Sequence, residues 1–214
     1  MRQETGMQRL TNATLPAAER ALAKADPALG AWMRLIERPR LTRQYSHFAS
    51  LCRAICAQQL SNKAAQTICA RVFEGTSRTR GPTVECLRAR SDAQLREAGL
   101  SRQKVRYIRA LCDAFGEGHL KGYRFSGRDD ETIIQDLTEV AGIGRWSAEM
   151  FLIFNLHRPD IFSGGDLALH NGLMRIDRCE GLGPKDCEAR AQRWAPYRSV
   201  ASLYLWRIAH WKDG

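Results

Sequence analysis

Asp166 is the residue of this chain whose position most suggests chemistry. It closes the segment Arg158-Pro159-Asp160-Ile161-Phe162-Ser163-Gly164-Gly165-Asp166 and is followed at once by the apolar run Leu167-Ala168-Leu169. A carboxylate at that junction sits at or next to a helix N-cap, and capping is the ordinary work of such a residue. The same carboxylate faces the positive end of a helix dipole, where its charge is favoured. Held in a cleft, it could stabilise a positive charge that develops during a reaction. Asp160 is the competing carboxylate, but beside Pro159 it reads as a turn former.

A second segment, 131–156, has the form helix, glycine turn, helix. An amphipathic stretch ends near Val140, Gly142 and Gly144 bracket Ile143, and an apolar helix begins at Arg145 or Trp146. Glycines one residue apart permit backbone conformations closed to other residues and leave room for a bulky ligand such as a phosphodiester. The helix that follows offers free N–H groups and the favourable end of its dipole to a phosphate. Such an element grips the DNA backbone without reading bases. The N–H groups of Gly142, Gly144 and Ser147 are its candidate donors.

The elements that must hold these residues are helices throughout. The spacing predicts helices over 17–37, 46–60, 61–74, 83–89, 92–98, 102–116, 130–139, 145–157, 167–176, 184–193 and 198–211. Ser61, Ser91 and Ser101 are their candidate N-caps, and residues 117–129, Gly-rich and polar, read as a loop. No useful alternating strand pattern occurs, so the class is all-α.

The 214 residues carry a formal net charge of +10. Residues 41–110 hold 13 Lys/Arg against 4 Asp/Glu, a surplus of nine, so nearly all the excess lies in one third of the chain. A one-sided basic surface suits a polyanion, most often nucleic acid. Lys63, Arg102, Lys104 and Arg145 are candidate phosphate contacts. The seven cysteines form no CxxC pair and sit mostly among apolar neighbours. They read as small hydrophobes, with neither zinc nor an iron–sulfur cluster expected. No apolar run reaches about 18 residues, so no membrane span is expected. The N-terminal segment lacks the apolar centre of a signal peptide, which makes the cytoplasm, at the nucleoid in a bacterium, the expected compartment.

Val140–Met150 followed by Asp160–Leu169 resembles the helix-hairpin-helix, Gly/Pro-rich loop and aspartate signature of the base-excision DNA glycosylase superfamily. Residues 48–65, 98–111 and 195–207 resemble segments of its 3-methyladenine DNA glycosylase II branch. The resemblance covers about 46 to 211. It implies two helical domains flanking a DNA-binding cleft: residues 46–154, ending in the hairpin, and residues 1–45 plus 155–214, carrying the catalytic loop. Asp166 matches the catalytic aspartate. Trp146 stands where bifunctional glycosylase/lyase relatives have a Lys nucleophile, so no Schiff base can form there. The resemblance further implies a monovalent cation, Na⁺ or K⁺, on the main-chain carbonyls of Thr138, Val140 and Ile143, with no cofactor required. Two positions depart from the family pattern: Ala141 and Ser163 replace prolines and loosen the backbone.

The implied activity is a monomeric, monofunctional enzyme. It flips an alkylated purine out of double-stranded DNA and hydrolyses its glycosidic bond, leaving an abasic site. Gln59 or Leu60, at a helix end, is the candidate side chain to fill the gap in the duplex. A cationic base favours electron-rich aromatic walls, at about 0.5–2 kcal/mol per contact. Trp146 leads these, with Tyr45, Phe48, Tyr204 and Trp206 as further candidates whose alternative is core packing. Two other readings share these residues: a glycosylase for oxidised, deaminated or mismatched bases, and a catalytically silent DNA-binding relative.

Overall fold

The computed structural model describes residues 9–42 and 45–212. The expectation about a leader segment rests in part on residues 1–8, and Arg43 belongs to the basic stretch. Both fall outside the described residues.

Among the described residues the chain is helical, and the one β feature is an isolated bridge between Ser77 and Gly81. It divides into two compact units, residues 43–151 and residues 1–42 with 152–214. Among the described residues, no helix is long and apolar enough to cross a membrane.

The first unit contains α3 (His47–Ala57), α4 (Asn62–Val72), α5 (Val84–Arg88), α6 (Asp92–Glu97), α7 (Arg102–Gly116), α8 (Asp130–Thr138) and α9 (Arg145–Phe151). The expected serine caps are in place: the hydroxyls of Ser61, Ser91 and Ser101 accept from the N–H groups of Ala64, Gln94 and Lys104. Ser91 adds the reciprocal bond from its own N–H to Gln94, completing a capping box. The core is built on Leu51, Ile55, Val72, Leu87, Ile108 and Leu111, each almost fully buried. Each such side chain contributes roughly 1.5–3 kcal/mol. Cys52, Cys56 and Cys112 are buried among them as reduced thiols.

The second unit contains α1 (Leu15–Ala25), α2 (Pro27–Leu35), a π-helical turn (Leu152–Leu156), α10 (Leu167–Asp177), α11 (Pro184–Ala191), a 3₁₀ turn (Gln192–Trp194) and α12 (Arg198–Ala209). The single helix expected over 17–37 is two. Asp26 is extended (φ −143°) and its carboxylate accepts from the Leu29 N–H, while Pro27 opens α2. Proline suits a first helical position, because its missing N–H has no partner there anyway. Helices α10 and α12 cross closely at Gly172, where a Cβ would lie 2.4 Å from the Leu205 carbonyl oxygen. The expected helix over 145–157 changes character after Phe151. The π-helical turn follows it, and His157, at φ 54°, ends it.

Candidate active site

The loop before α10 is fixed from both sides. Asp160 binds the Arg198 guanidinium at 2.8 and 3.0 Å and accepts from the Arg198 N–H at 3.2 Å. Pro159 O accepts from Ser199 N at 3.0 Å, and Ile161 N donates to Ser199 Oγ at 2.9 Å. Asp160 thus belongs to the stitching between this loop and the start of α12, a long-range partnership rather than a local turn bond.

Asp166 is the N-cap of α10 and is buried. Its Oδ1 accepts from Ala168 N at 2.9 Å and Leu169 N at 3.0 Å. A third donor, the indole Nε1 of Trp206 on α12, reaches the same oxygen at 3.2 Å. Trp206 in turn stacks on Phe154, with ring centroids 5.3 Å apart and planes at 30°. Phe154 is 49% exposed and Leu167 71% exposed. The π-helical turn accounts for Phe154: Leu152, Ile153 and Leu156 go inward while Phe154 faces out. Such turns insert a residue into a helix and re-aim a side chain. Asp166 is therefore a rigidly oriented carboxylate beside an accessible aromatic pair.

In the other unit, α8 and α9 are joined by the glycine turn. Gly142 adopts φ 91°, and a Cβ there would lie 2.2 Å from Cγ of the Tyr107 ring. Gly142 O accepts from Gln58 Nε2 at 2.8 Å, which ties this turn to the end of α3. Gly144 is different: a Cβ there would meet nothing within 4 Å. The first position answers a conformational need, while the second leaves open space beside the start of α9. Ser147 is buried in the first turn of α9, whose opening N–H groups have no preceding turn to donate to. Val140 O accepts from Ile143 N at 3.0 Å. Among the described residues, no backbone N–H reaches the Thr138 or Ile143 carbonyl. A set of carbonyl oxygens only partly engaged by the backbone fits a hard monovalent cation.

The chain matches the HhH-GPD superfamily base excision DNA repair protein family over residues 52–197. It belongs to that superfamily. DNA-3-methyladenine glycosylase 1 of Schizosaccharomyces pombe is 31% identical over 190 residues, 85% of this chain and 83% of that protein. The crystal structure of a DNA-3-methyladenine glycosidase from Bacillus halodurans is 35% identical, with a TM-score of 0.81 over 95% of this chain and 93% of that one. The S. pombe 3-methyladenine DNA glycosylase in complex with abasic DNA is 28% identical, with a TM-score of 0.77 over 89% and 95%.

Within this HhH-GPD chain the expected aromatic walls separate. Trp146 is 51% exposed at the start of α9 and carries no amine. Trp206 lies against Asp166, as described. Tyr204 is a correction: it is buried in the core, and its hydroxyl donates to Glu19 at 2.7 Å. Burial, with Glu19 next in importance, pushes that phenol well above its ordinary range. Phe48 is another: it is buried and packs edge-on against Phe115. Tyr45 packs edge-on against Phe73 with the Arg53 guanidinium 5.7 Å from its ring centre.

The basic candidates separate too. Lys63 and Arg102 are exposed at the starts of α4 and α7. Lys104 is turned inward, and its Nζ donates to the carbonyls of Cys56 and Gln58, both at 2.8 Å. It closes the C-terminus of α3, and burial holds its pKa below the usual lysine value. Arg145 is engaged in a two-pronged bond to Glu131 at 2.8 Å and in a bond to Glu149 at 3.0 Å. Glu131 raises the guanidinium's pKa, and Arg145 lowers that of Glu131. Gln59 (φ 54°) and Leu60 are exposed in the turn between α3 and α4. Phe154 escaped the sequence reading because helical spacing gives no sign of a π-helical turn.

Proposed function

We propose that this chain is a monofunctional DNA glycosylase that hydrolyses the N-glycosidic bond of alkylated purines of the 3-methyladenine kind in double-stranded DNA. The observation that carries the reading is the Asp166 carboxylate, oriented by three donors on one oxygen beside the stacked Phe154–Trp206 pair, of which Phe154 is exposed. The names of the relatives support the substrate class.

The chemistry follows from the charges. An alkylated purine is cationic, so its bond to the sugar is already weak and departure needs little acid help. As the bond breaks, positive charge moves onto the sugar ring. The Asp166 carboxylate stabilises that charge and takes a proton from the water that attacks C1′, while the base leaves with the bonding pair as a neutral purine. Its α10 and Trp206 donors keep the carboxylate aimed without rearrangement during the reaction. The exposed Phe154 ring, backed by the partly buried Trp206 indole, suits an electron-poor ring. Trp146 supplies no amine, so no covalent imine with the sugar forms there. The turn at Gln59 and Leu60 offers the side chain that fills the duplex after flipping.

In the hairpin, Gly142, Gly144 and Ser147 N–H groups hold the DNA backbone. The Thr138, Val140 and Ile143 carbonyls would hold Na⁺ or K⁺, which would supply positive charge for a bound phosphate. Replacing K⁺ by tetramethylammonium at constant ionic strength then weakens binding to an abasic-site duplex. Equal affinity in both salts rejects the cation.

The deciding experiment is Asp166→Asn on alkylated duplex DNA. Asn caps a helix as well as Asp, so the fold and DNA binding remain while release of 3-methyladenine is lost. Release at the wild-type rate rejects the assignment. Borohydride treatment of the enzyme with abasic DNA traps no adduct, and a trapped adduct rejects the monofunctional reading. A panel of oxidised and deaminated lesions fixes the substrate range.

A further inference from the structure

We infer that His170 is the positioning residue for the Gly164-Gly165-Asp166 loop, which it orients through a ring N–H hydrogen bond to the Gly164 carbonyl. The inference rests on the catalytic role proposed for Asp166 and extends it to a residue that touches neither substrate nor the carboxylate.

His170 lies one turn along α10 from Asp166, and its backbone N–H closes the first helical bond onto Asp166 O at 3.1 Å. Its ring is buried, and Nε2 stands 2.5 Å from Gly164 O. A carbonyl oxygen only accepts, so Nε2 carries the hydrogen in this bond. The loop has little stiffness of its own: Ser163 and two glycines precede Asp166, and Gly165 is exposed, with nothing within 4 Å of where a Cβ would stand. Asp166 N donates back to Ser163 O at 3.0 Å, so the loop closes on itself in one tight turn. That turn fixes the loop's shape. The His170 ring fixes its orientation relative to α10.

The Gly164–Gly165 peptide is the part whose direction matters. In a planar trans peptide the N–H points opposite to the carbonyl. With Gly164 O held by the buried ring, the Gly165 N–H is turned away from His170, on an exposed residue directly before the carboxylate. Without the ring, the peptide can rotate between two glycines at little cost. Asp166 would still cap α10 and its N–H would still reach Ser163 O, but the Gly164–Gly165 peptide would lose its tie to α10. The Glu188 side chain closes the loop's other flank, because a Cβ on Gly164 would lie 2.2 Å from its Oε1. Gly164 therefore sits between the buried His170 ring and the exposed Glu188 side chain.

The test compares His170→Leu, which fills the space without a donor, with His170→Gln, which restores an N–H donor. Single-turnover excision of 3-methyladenine is read beside the affinity for an uncleavable abasic-analogue duplex and the thermal midpoint. His170→Leu lowers the single-turnover rate by about 10- to 100-fold, the scale of an angstrom-level misplacement, and leaves duplex affinity within about threefold of wild type. His170→Gln recovers most of the rate. Wild-type rates in His170→Leu overturn the inference, as do equal losses in both variants or a loss that follows the thermal midpoint alone. Should the wild-type protein excise no lesion, the catalytic reading fails first. The positioning claim is then decided by NMR. Hydrogen on Nε2 of His170, with faster Asp166 amide exchange in His170→Leu but not in His170→Gln, upholds it. Hydrogen on Nδ1 alone, or unchanged exchange, overturns it.

Discussion

The indole nitrogen of Trp206 donates to the Asp166 oxygen that already caps α10, at 3.2 Å. One residue of α12 thereby serves both the carboxylate and the aromatic stack with Phe154. The two tasks can be pulled apart.

Trp206→Phe keeps an aromatic face against Phe154 and removes the donor. A hydrogen bond to a charged group contributes about 1.5–3 kcal/mol, so single-turnover excision falls by roughly tenfold or more. Trp206→Ala loses the stack as well and falls further. Wild-type rates for Trp206→Phe would show that the indole N–H has no part in orienting Asp166.

The two hairpin glycines predict opposite phenotypes. Gly142→Ala places a Cβ 2.2 Å from the Tyr107 ring at φ 91°. It therefore destabilises the protein by about 2–4 kcal/mol, measured by denaturant unfolding. Gly144→Ala meets no atom and leaves unfolding unchanged, but its methyl group occupies the space proposed for the phosphodiester. Its DNA affinity drops instead. Equal stability loss in both variants would refute the division of labour.

Much of this arrangement was legible in the sequence, because caps and glycine turns are local. Asp166 follows two glycines and precedes an apolar run, and the helix begins where that pattern places it. The break at Asp26-Pro27 was equally local, yet the unbroken apolar spacing over 17–37 hid it. Tertiary partners were not legible. Phe48 and Tyr204 look like any aromatic on a helix face, and only packing decides which side of the helix is core. Arg145 and Lys104 look like free cations until Glu131 and the carbonyls of Cys56 and Gln58 arrive from distant positions. Nothing in the residues 152–156 announces a π-helical turn, which is why Phe154 had no forerunner.

Asp26 predicts a pH effect on stability. Burial works against its charge. Arg190 at 2.7 Å, the Leu29 N–H and the Trp194 indole at 2.9 Å outweigh that and keep its pKa below the ordinary carboxylate value. The unfolded chain then takes up this proton at a higher pH than the folded one. The stabilisation is complete above the unfolded value and is lost as pH falls through the folded value. Asp26→Ala removes it and strands part of the Arg190 charge, costing about 3 kcal/mol at neutral pH. Thermal midpoints of wild type and variant stay apart from pH 7 down to the ordinary carboxylate value and draw together only as pH falls below it. A gap that stays constant with pH would disprove the ionic account.

The basic residues predict a split in salt dependence. Lys63 and Arg102 are exposed, whereas Lys104 spends its donors on the carbonyls that end α3. If the exposed pair neutralises phosphates, Lys63→Ala and Arg102→Ala each reduce the slope of log K against log salt by about one. Lys104→Met leaves that slope as it is, because its ammonium releases no counterion from DNA. It acts on the protein instead. The two carbonyls lose their partner, and Gln58, whose side chain holds Gly142 O at 2.8 Å, loses its anchor. Lys104→Met therefore lowers the unfolding free energy by about 1–3 kcal/mol, the cost of buried acceptors left unpaired. It also weakens DNA binding by the same factor at every salt concentration. A lowered salt slope in Lys104→Met would return the residue to the phosphate-binding set, and unchanged slopes in the other two variants would remove them from it.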